Sequence, residues 1–132
     1  MRTKDQLNQL SGTIIDSAME VHREFGPGLL ERVYEAALVK KLALRGISAQ
    51  RQLPVLVSYK NELIQEEAYR IDLLVEESIL VELKTVSEIL PIHEAQLHTY
   101  MKLSKISLGL LINFNVILLR DGVRRRVINF PG

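Results

Sequence analysis

The chain has 132 residues, 47% of them hydrophobic and 25% charged, with no cysteine and a formal net charge of +1. That composition is near the average for a soluble globular domain and excludes a disulfide scaffold, a collagen-like repeat and intrinsic disorder. Without cysteine there can be no zinc–thiolate site, iron–sulfur cluster or thiol nucleophile.

In chain order, Leu7, Leu10, Ile14, Ala18, Val21 and Phe25 recur every three or four positions, which predicts a helix over 5–25. Gly26-Pro27-Gly28 stops it. A second helix is expected over 30–46, with Tyr34, Ala37, Leu38 and Leu42 on one side and Gly46 as its C-terminal cap. The period then changes to two. Strands are expected over 53–59 and 63–75, joined by a turn at Lys60-Asn61-Glu62, and a short apolar strand over 79–84 follows Glu76-Glu77-Ser78. A helix over 92–103 and a strand over 107–114 come next. Asp121-Gly122 reads as a hairpin turn joining strands 116–120 and 124–129. The alternation predicts an α/β domain with a mixed central sheet and a C-terminal hairpin.

The length suits one domain, 1–132, able to bury roughly two-thirds of its unfolded surface without a staple. The most apolar run, Leu108 to Ile112, meets Asn113 far short of the ~20 residues a membrane span needs. No apolar targeting segment opens the chain, so the cytoplasm is the expected compartment. The net charge hides an asymmetry. Residues 1–60 carry nine basic and six acidic side chains, 61–100 carry two and nine, and 101–132 carry six and one. An acidic centre beside a basic C-terminus hints at function, although solvated turns such as Glu76-Glu77 also contribute to it.

The informative anomaly lies in the middle strands. Ile71-Asp72-Leu73-Leu74-Val75 and Ile79-Leu80-Val81-Glu82-Leu83-Lys84 set ionisable groups inside apolar sequence. Glu82 and Lys84, two apart, project from one face, and Asp72 can meet them from the neighbouring strand. Burying such groups unpaired costs several kcal/mol. One resolution is an internal ion pair of Lys84 with Asp72 or Glu82. The other is a hard cation such as Mg²⁺, which suits paired carboxylates and leaves the lysine to orient water or neutralise a phosphate.

These residues carry a family resemblance. Asp72 followed by Glu82-Leu83-Lys84 resembles the D…(D/E)xK signature of the PD-(D/E)XK nuclease superfamily, the restriction-endonuclease-like fold. Gly28-Leu29-Leu30-Glu31-Arg32-Val33-Tyr34 resembles the motif that names the GxxExxY proteins, and Gln96 with Tyr100 is similar to the QxxxY motif of RecB-type exonucleases. No proline precedes Asp72, a departure common in the superfamily. The resemblance covers about residues 10–129 and implies an αβββαβ core. It also implies a nuclease that hydrolyses phosphodiester bonds with a metal-activated water. Asp72, Glu82, the Leu83 carbonyl and Glu31 would hold Mg²⁺ or Mn²⁺. Lys84 would act on the water and phosphate, with Gln96 and Tyr100 holding the site or the nucleic acid.

Each assignment has a plainer counterpart. Glu31 suits the first turn of a helix through the helix dipole, Tyr34 suits the core, and Gly28 a tight turn. His93 and His98 fall short of a zinc motif: five residues apart, they stand roughly 140° apart around a helix. His22 faces either the site or a structural partner. Arg124 and Arg126 share one side of a strand and Arg125 the other; with Lys102, Lys105 and Arg120 they form a basic rim for phosphates or for solubility. No aromatic stacking platform is evident. The expected function is a metal-dependent nuclease with DNA favoured over RNA, no membrane association, and a homodimer or larger partner completing the machinery. The rival is a non-catalytic nucleic-acid- or protein-binding adaptor that retains the fold.

Overall fold

A computed structural model describes all 132 residues as three helices and a five-stranded mixed sheet. Helix α1 (Lys4–Phe25) opens on a capping box. The Gln6 amide N–H donates to the Thr3 hydroxyl at 3.2 Å, and the Gln6 side chain accepts from the Thr3 N–H at 2.9 Å. Its buried stripe, Leu7, Ile14, Ala18 and Val21, follows the helical period. Gly26 and Gly28 both take positive φ, which lets the chain turn back within four residues of the helix end. Helix α2 (Glu31–Leu44) buries Tyr34, Leu38 and Leu42. The Tyr34 ring stacks on Phe114 at 4.4 Å between centroids, while its hydroxyl donates to the Gly26 carbonyl at 2.5 Å and accepts from the Leu29 N–H at 3.1 Å. Tyr34 therefore pins the Gly-Pro-Gly loop to the core.

Strands β1 (Ala49–Tyr59), β2 (Glu62–Val75) and β3 (Ile79–Lys84) form an antiparallel meander. Lys60 and Asn61 both have positive φ between the paired Tyr59 and Glu62, the signature of a primed two-residue hairpin turn. Helix α3 (Pro91–Ser104) is the crossover that makes β4 (Leu108–Asn113) parallel to β3, and β5 (Val123–Val127) pairs antiparallel with β4. The strand order is β1-β2-β3-β4-β5. The sheet feeds two cores, by alternate residues in β3 and β4. Leu73, Val75, Ile79, Val81, Leu83, Leu108, Leu110 and Ile112 pack with α1 and α2. Val55, Ile71, Leu80 and Leu111 pack with Leu97 and Met101 of α3. Glu82 and Lys84, in step with Leu80, belong to the α3 side.

One expected element is absent. Residues 116–120 form no strand, and Asp121-Gly122 is no hairpin turn; a 3-10 turn (Leu119–Gly122) stands there, and β5 pairs with β4 instead. A primed turn requires positive φ at the first or at both central residues, and neither Asp121 nor Gly122 has it. Gly122 is needed for space: a Cβ there would run into the Asn113 carbonyl oxygen. Leu119 joins the main core, and that burial draws the segment inward. No helix is long and apolar enough to cross a membrane.

Candidate active site

The ladder between β2 and β3 pairs Val75 with Ile79, Leu74 with Leu80 and Leu73 with Val81, and then stops. The next residues in step are Asp72 and Glu82, and here side chains replace backbone bonds. The Asp72 N–H donates to Glu82 Oε1 at 3.2 Å, and the Leu83 N–H donates to Asp72 Oδ2 at 2.8 Å. Each carboxylate satisfies a backbone donor that the opened ladder would have orphaned. The result is a fork with two carboxyl groups in its cleft, one oxygen of each committed to the backbone.

The electrostatics follow from that geometry. Glu82 is only 7% exposed. Burial first, then the negative charge of Asp72, push its carboxyl from the ordinary 4.5 up to about 9. Asp72 is raised as well, by burial, although the Leu83 N–H and the Glu82 and Gln52 side chains favour its charged form. The charge of Asp72 thus opposes ionisation of Glu82, and the more deeply buried Glu82 is held in its neutral form the more strongly of the two. Glu31, at the start of α2, is raised by burial and by the charge of Asp72, and Lys84 partly offsets this. Three carboxyl groups from three elements thus lie within one another's field.

Lys84 makes no ion pair within 4.0 Å, so the internal salt bridge that the strand pattern allows does not form. Its backbone is held instead. The Phe114 N–H donates to the Lys84 carbonyl at 2.9 Å. Buried Asn113 clamps the following loop, accepting from the Val86 N–H at 3.0 Å and donating to the Val86 carbonyl at 2.9 Å. A groove of about 720 Å³ lies elsewhere, between Met19, His22 and Arg23 of α1 and the segment Ile117–Arg120, and no carboxylate lines it. The carboxyl groups with raised pKa are at the fork.

Residues 8–126 match the PD-(D/E)XK nuclease superfamily. The chain belongs to that superfamily. Neither the curated proteins nor the solved structures provide a match.

As a PD-(D/E)XK protein it carries its acidic signature where the mixed sheet opens. The structure brings Asp72, Glu82, Lys84 and Glu31 to that fork, with the Leu83 backbone taking part through its N–H. Tyr100 of α3 faces it too. Burial first, and then the charges of Glu82, Tyr69 and Asp72, raise its hydroxyl. Its ring lies 5.7 Å from that of Tyr69, an aromatic neighbour that the sequence pattern does not single out. Gln96 shares the helix face of Tyr100 by spacing, yet it is exposed and its side chain makes no hydrogen bond.

The basic residues divide. Arg124 pairs with Leu111, which pairs with Glu82, so Arg124 lies two strand spacings, roughly 10 Å, from the fork in the same row. Arg126 shares that face and donates to His98 Nδ1 at 3.0 Å. Arg125 points the other way, onto Asn8 of α1 at 2.5 Å. Lys102 is exposed on α3. Lys105 follows the C-terminus of α3 and lies with Glu77 and Ser78 at the opposite end of the sheet, away from the fork. His22 proves structural: it is buried, and its Nε2 donates to the Val116 carbonyl at 2.9 Å.

Two further residues at the fork carry no motif. Glu35, one turn after Glu31, is buried and ion-paired to Arg51 at 3.2 Å. Gln52 of β1 donates its side-chain amide to both Glu35 oxygens at 3.1 Å and to Asp72 Oδ1 at 3.4 Å. The only sequence signal for Glu35 is its i,i+4 spacing from Glu31 on a helix whose neighbouring Tyr34 is core.

Proposed function

We propose that the fork is the active centre of a metal-dependent nuclease and that residues 1–132 act as one catalytic domain. Within the superfamily we assign the chain to the GxxExxY type with a RecB-like QxxxY helix. The observation that carries this reading is the excess of buried carboxyl charge: Asp72 and Glu82 share a cleft, Glu82 is pushed up to about 9, and no protein cation within 4.0 Å neutralises either.

No three His, Asp or Glu side chains close into a metal cage. The oxygen donors at the fork suit Mg²⁺ or Mn²⁺, because Mg²⁺ is bound through one or two carboxylates and retains several waters, through which a further carboxylate can act. Asp72 and Glu82 would hold the ion through their uncommitted oxygens, with the Leu83 carbonyl and Glu31 as further oxygen donors. When bound, such an ion supplies Lewis-acid stabilisation of the phosphate and a more acidic water. Lys84, paired to no carboxylate, orients the attacking water and neutralises charge developing on the phosphate. Tyr100, with Tyr69 beside it, offers a base-stacking surface, and Gln96 reaches the nucleic acid from the same helix face. Arg124 and Arg126, on the face of the fork, follow the phosphate backbone, and Lys102 extends the track along α3; Lys105, at the opposite end of the sheet, falls outside it. DNA is the favoured substrate, and a second copy or a larger partner supplies the rest of its binding surface.

The test is Mg²⁺- or Mn²⁺-dependent cleavage of labelled single- and double-stranded DNA and RNA. Asp72→Ala, Glu82→Ala and Lys84→Ala should each lower the rate at least about 1,000-fold, the equivalent of about 4 kcal/mol in the barrier. Cleavage that survives all three substitutions ends this reading. Binding of nucleic acid without turnover, under every metal condition, leaves the adaptor reading in its place.

A further inference from the structure

Behind Asp72 stands a polar structure that cleavage itself does not require. Glu35, 5% exposed, faces inward from α2 and is gripped by Arg51 and by the Gln52 amide. An amide NH₂ carries two hydrogens. One can serve Glu35 and the other Asp72 Oδ1, the second contact being the longer at 3.4 Å. A neutral group therefore joins two acids that would otherwise repel.

The backbone is arranged to place this amide. Arg51 pairs with Leu73 and Leu53 pairs with Ile71, so Gln52 falls outside the ladder, opposite Asp72. It takes φ of 52°, which a residue with a Cβ adopts only when its surroundings hold it there. Arg70 does so, donating from Nη1 to the Gln52 carbonyl at 2.8 Å. Asp72 is consequently held from two sides: Oδ2 firmly, by the Leu83 N–H at 2.8 Å, and Oδ1 loosely, by Gln52.

We propose that Gln52, anchored on Glu35, is a positioning residue that orients Asp72 Oδ1 for the divalent cation and releases it when the cation arrives. This rests on the nuclease reading above. An amide suits the task because it aims the carboxylate without cancelling its charge. A lysine or arginine there would compete with the cation for Asp72, and the nearby guanidinium of Arg51 is instead occupied by Glu35.

The experiment titrates Mn²⁺ by calorimetry into the wild-type chain, Gln52→Ala, Gln52→Gly and Glu35→Gln. Losing such an outer-layer partner typically weakens metal binding by about 10–100-fold, and Gln52→Ala should fall in that range. Gln52→Gly separates positioning from folding, since glycine accepts positive φ without strain. It should melt no lower than wild type without metal and still bind Mn²⁺ more weakly by the same factor. Glu35→Gln should give a smaller loss, because the new amide oxygen still accepts from Gln52. If wild type and Gln52→Gly bind Mn²⁺ equally, the positioning role is wrong while the nuclease reading stands. If the wild type binds no Mn²⁺ at all, both fall.

Discussion

Strand β2 passes through two environments. Its first nine residues, Glu62 to Arg70, are all exposed, whereas Ile71 to Val75 alternate between buried and half-buried. The distal part pairs with β1 alone and projects as a two-stranded ribbon; the proximal part is also paired to β3 and covered by helices on both faces. Backbone hydrogen bonding continues along both parts, so it cannot explain the difference. Apolar burial does, since an isolated two-stranded hairpin is marginal in water. The fork lies where one regime gives way to the other: Asp72 is one residue past Ile71. The fork thus has packed structure on one side and an exposed ribbon on the other. The ends also differ in charge. Glu62, Glu66 and Glu67 outnumber Lys60 and Arg70 in the ribbon, whereas Arg124 and Arg126 lie on the face of the fork.

The comparison can be broken most forcefully in the supported half. Leu80→Ala removes a fully buried side chain between β3 and α3, and should cost about 2–5 kcal/mol in chemical denaturation. A loss below about 1 kcal/mol would mean that the α3 side is not a packed core.

A smaller effect concerns the fork. Because the folded state holds Glu82 up at about 9 against an ordinary 4.5, the folded chain binds more protons than the unfolded chain between those values. Its contribution to stability is therefore fully present below pH 4.5 and is lost as pH rises towards 9. Asp72 is shifted in the same direction. Metal-free protein should lose stability across this window with a slope of up to about 1.4 kcal/mol per pH unit, and Glu82→Gln should flatten the profile. An unchanged slope in that variant would remove Glu82 as its source.

In the ribbon, effects should be smallest. Leu63→Ser and Ile64→Ser, at positions already 47% and 57% exposed, should shift stability by no more than about 0.5 kcal/mol. Amides of residues 62–70 should exchange with deuterium well before those of 79–83. Equal protection in the two parts of the chain would show that the ribbon is covered, and hence that it has a partner.

The sequence alone determined most of the elements and singled out the charged residues that meet at the fork, because both leave local signals. A short apolar run located β3, helical periodicity located α1 and α2, and Asp72, Glu82 and Lys84 stood out as charges within apolar strands. Lys60-Asn61 and Glu76-Glu77 were legible as turns for a local reason as well, and all four residues take positive φ. The Asp121-Gly122 signal misled because a glycine can serve space as readily as turn geometry, and only the position of the Asn113 carbonyl distinguishes the two. Tertiary structure alone decided that Lys84 stays unpaired, that Tyr69 meets Tyr100, and that Glu35 and Gln52 stand behind Asp72. Glu35 reads as an ordinary helix carboxylate and Gln52 as a polar residue ahead of a strand. Their roles come from a positive-φ residue in β1 and a helix packed across the sheet, which join residues 17 and 20 positions apart. Patterns of neighbouring residues carry burial and turn chemistry; they do not carry which side chains meet once distant elements are packed together.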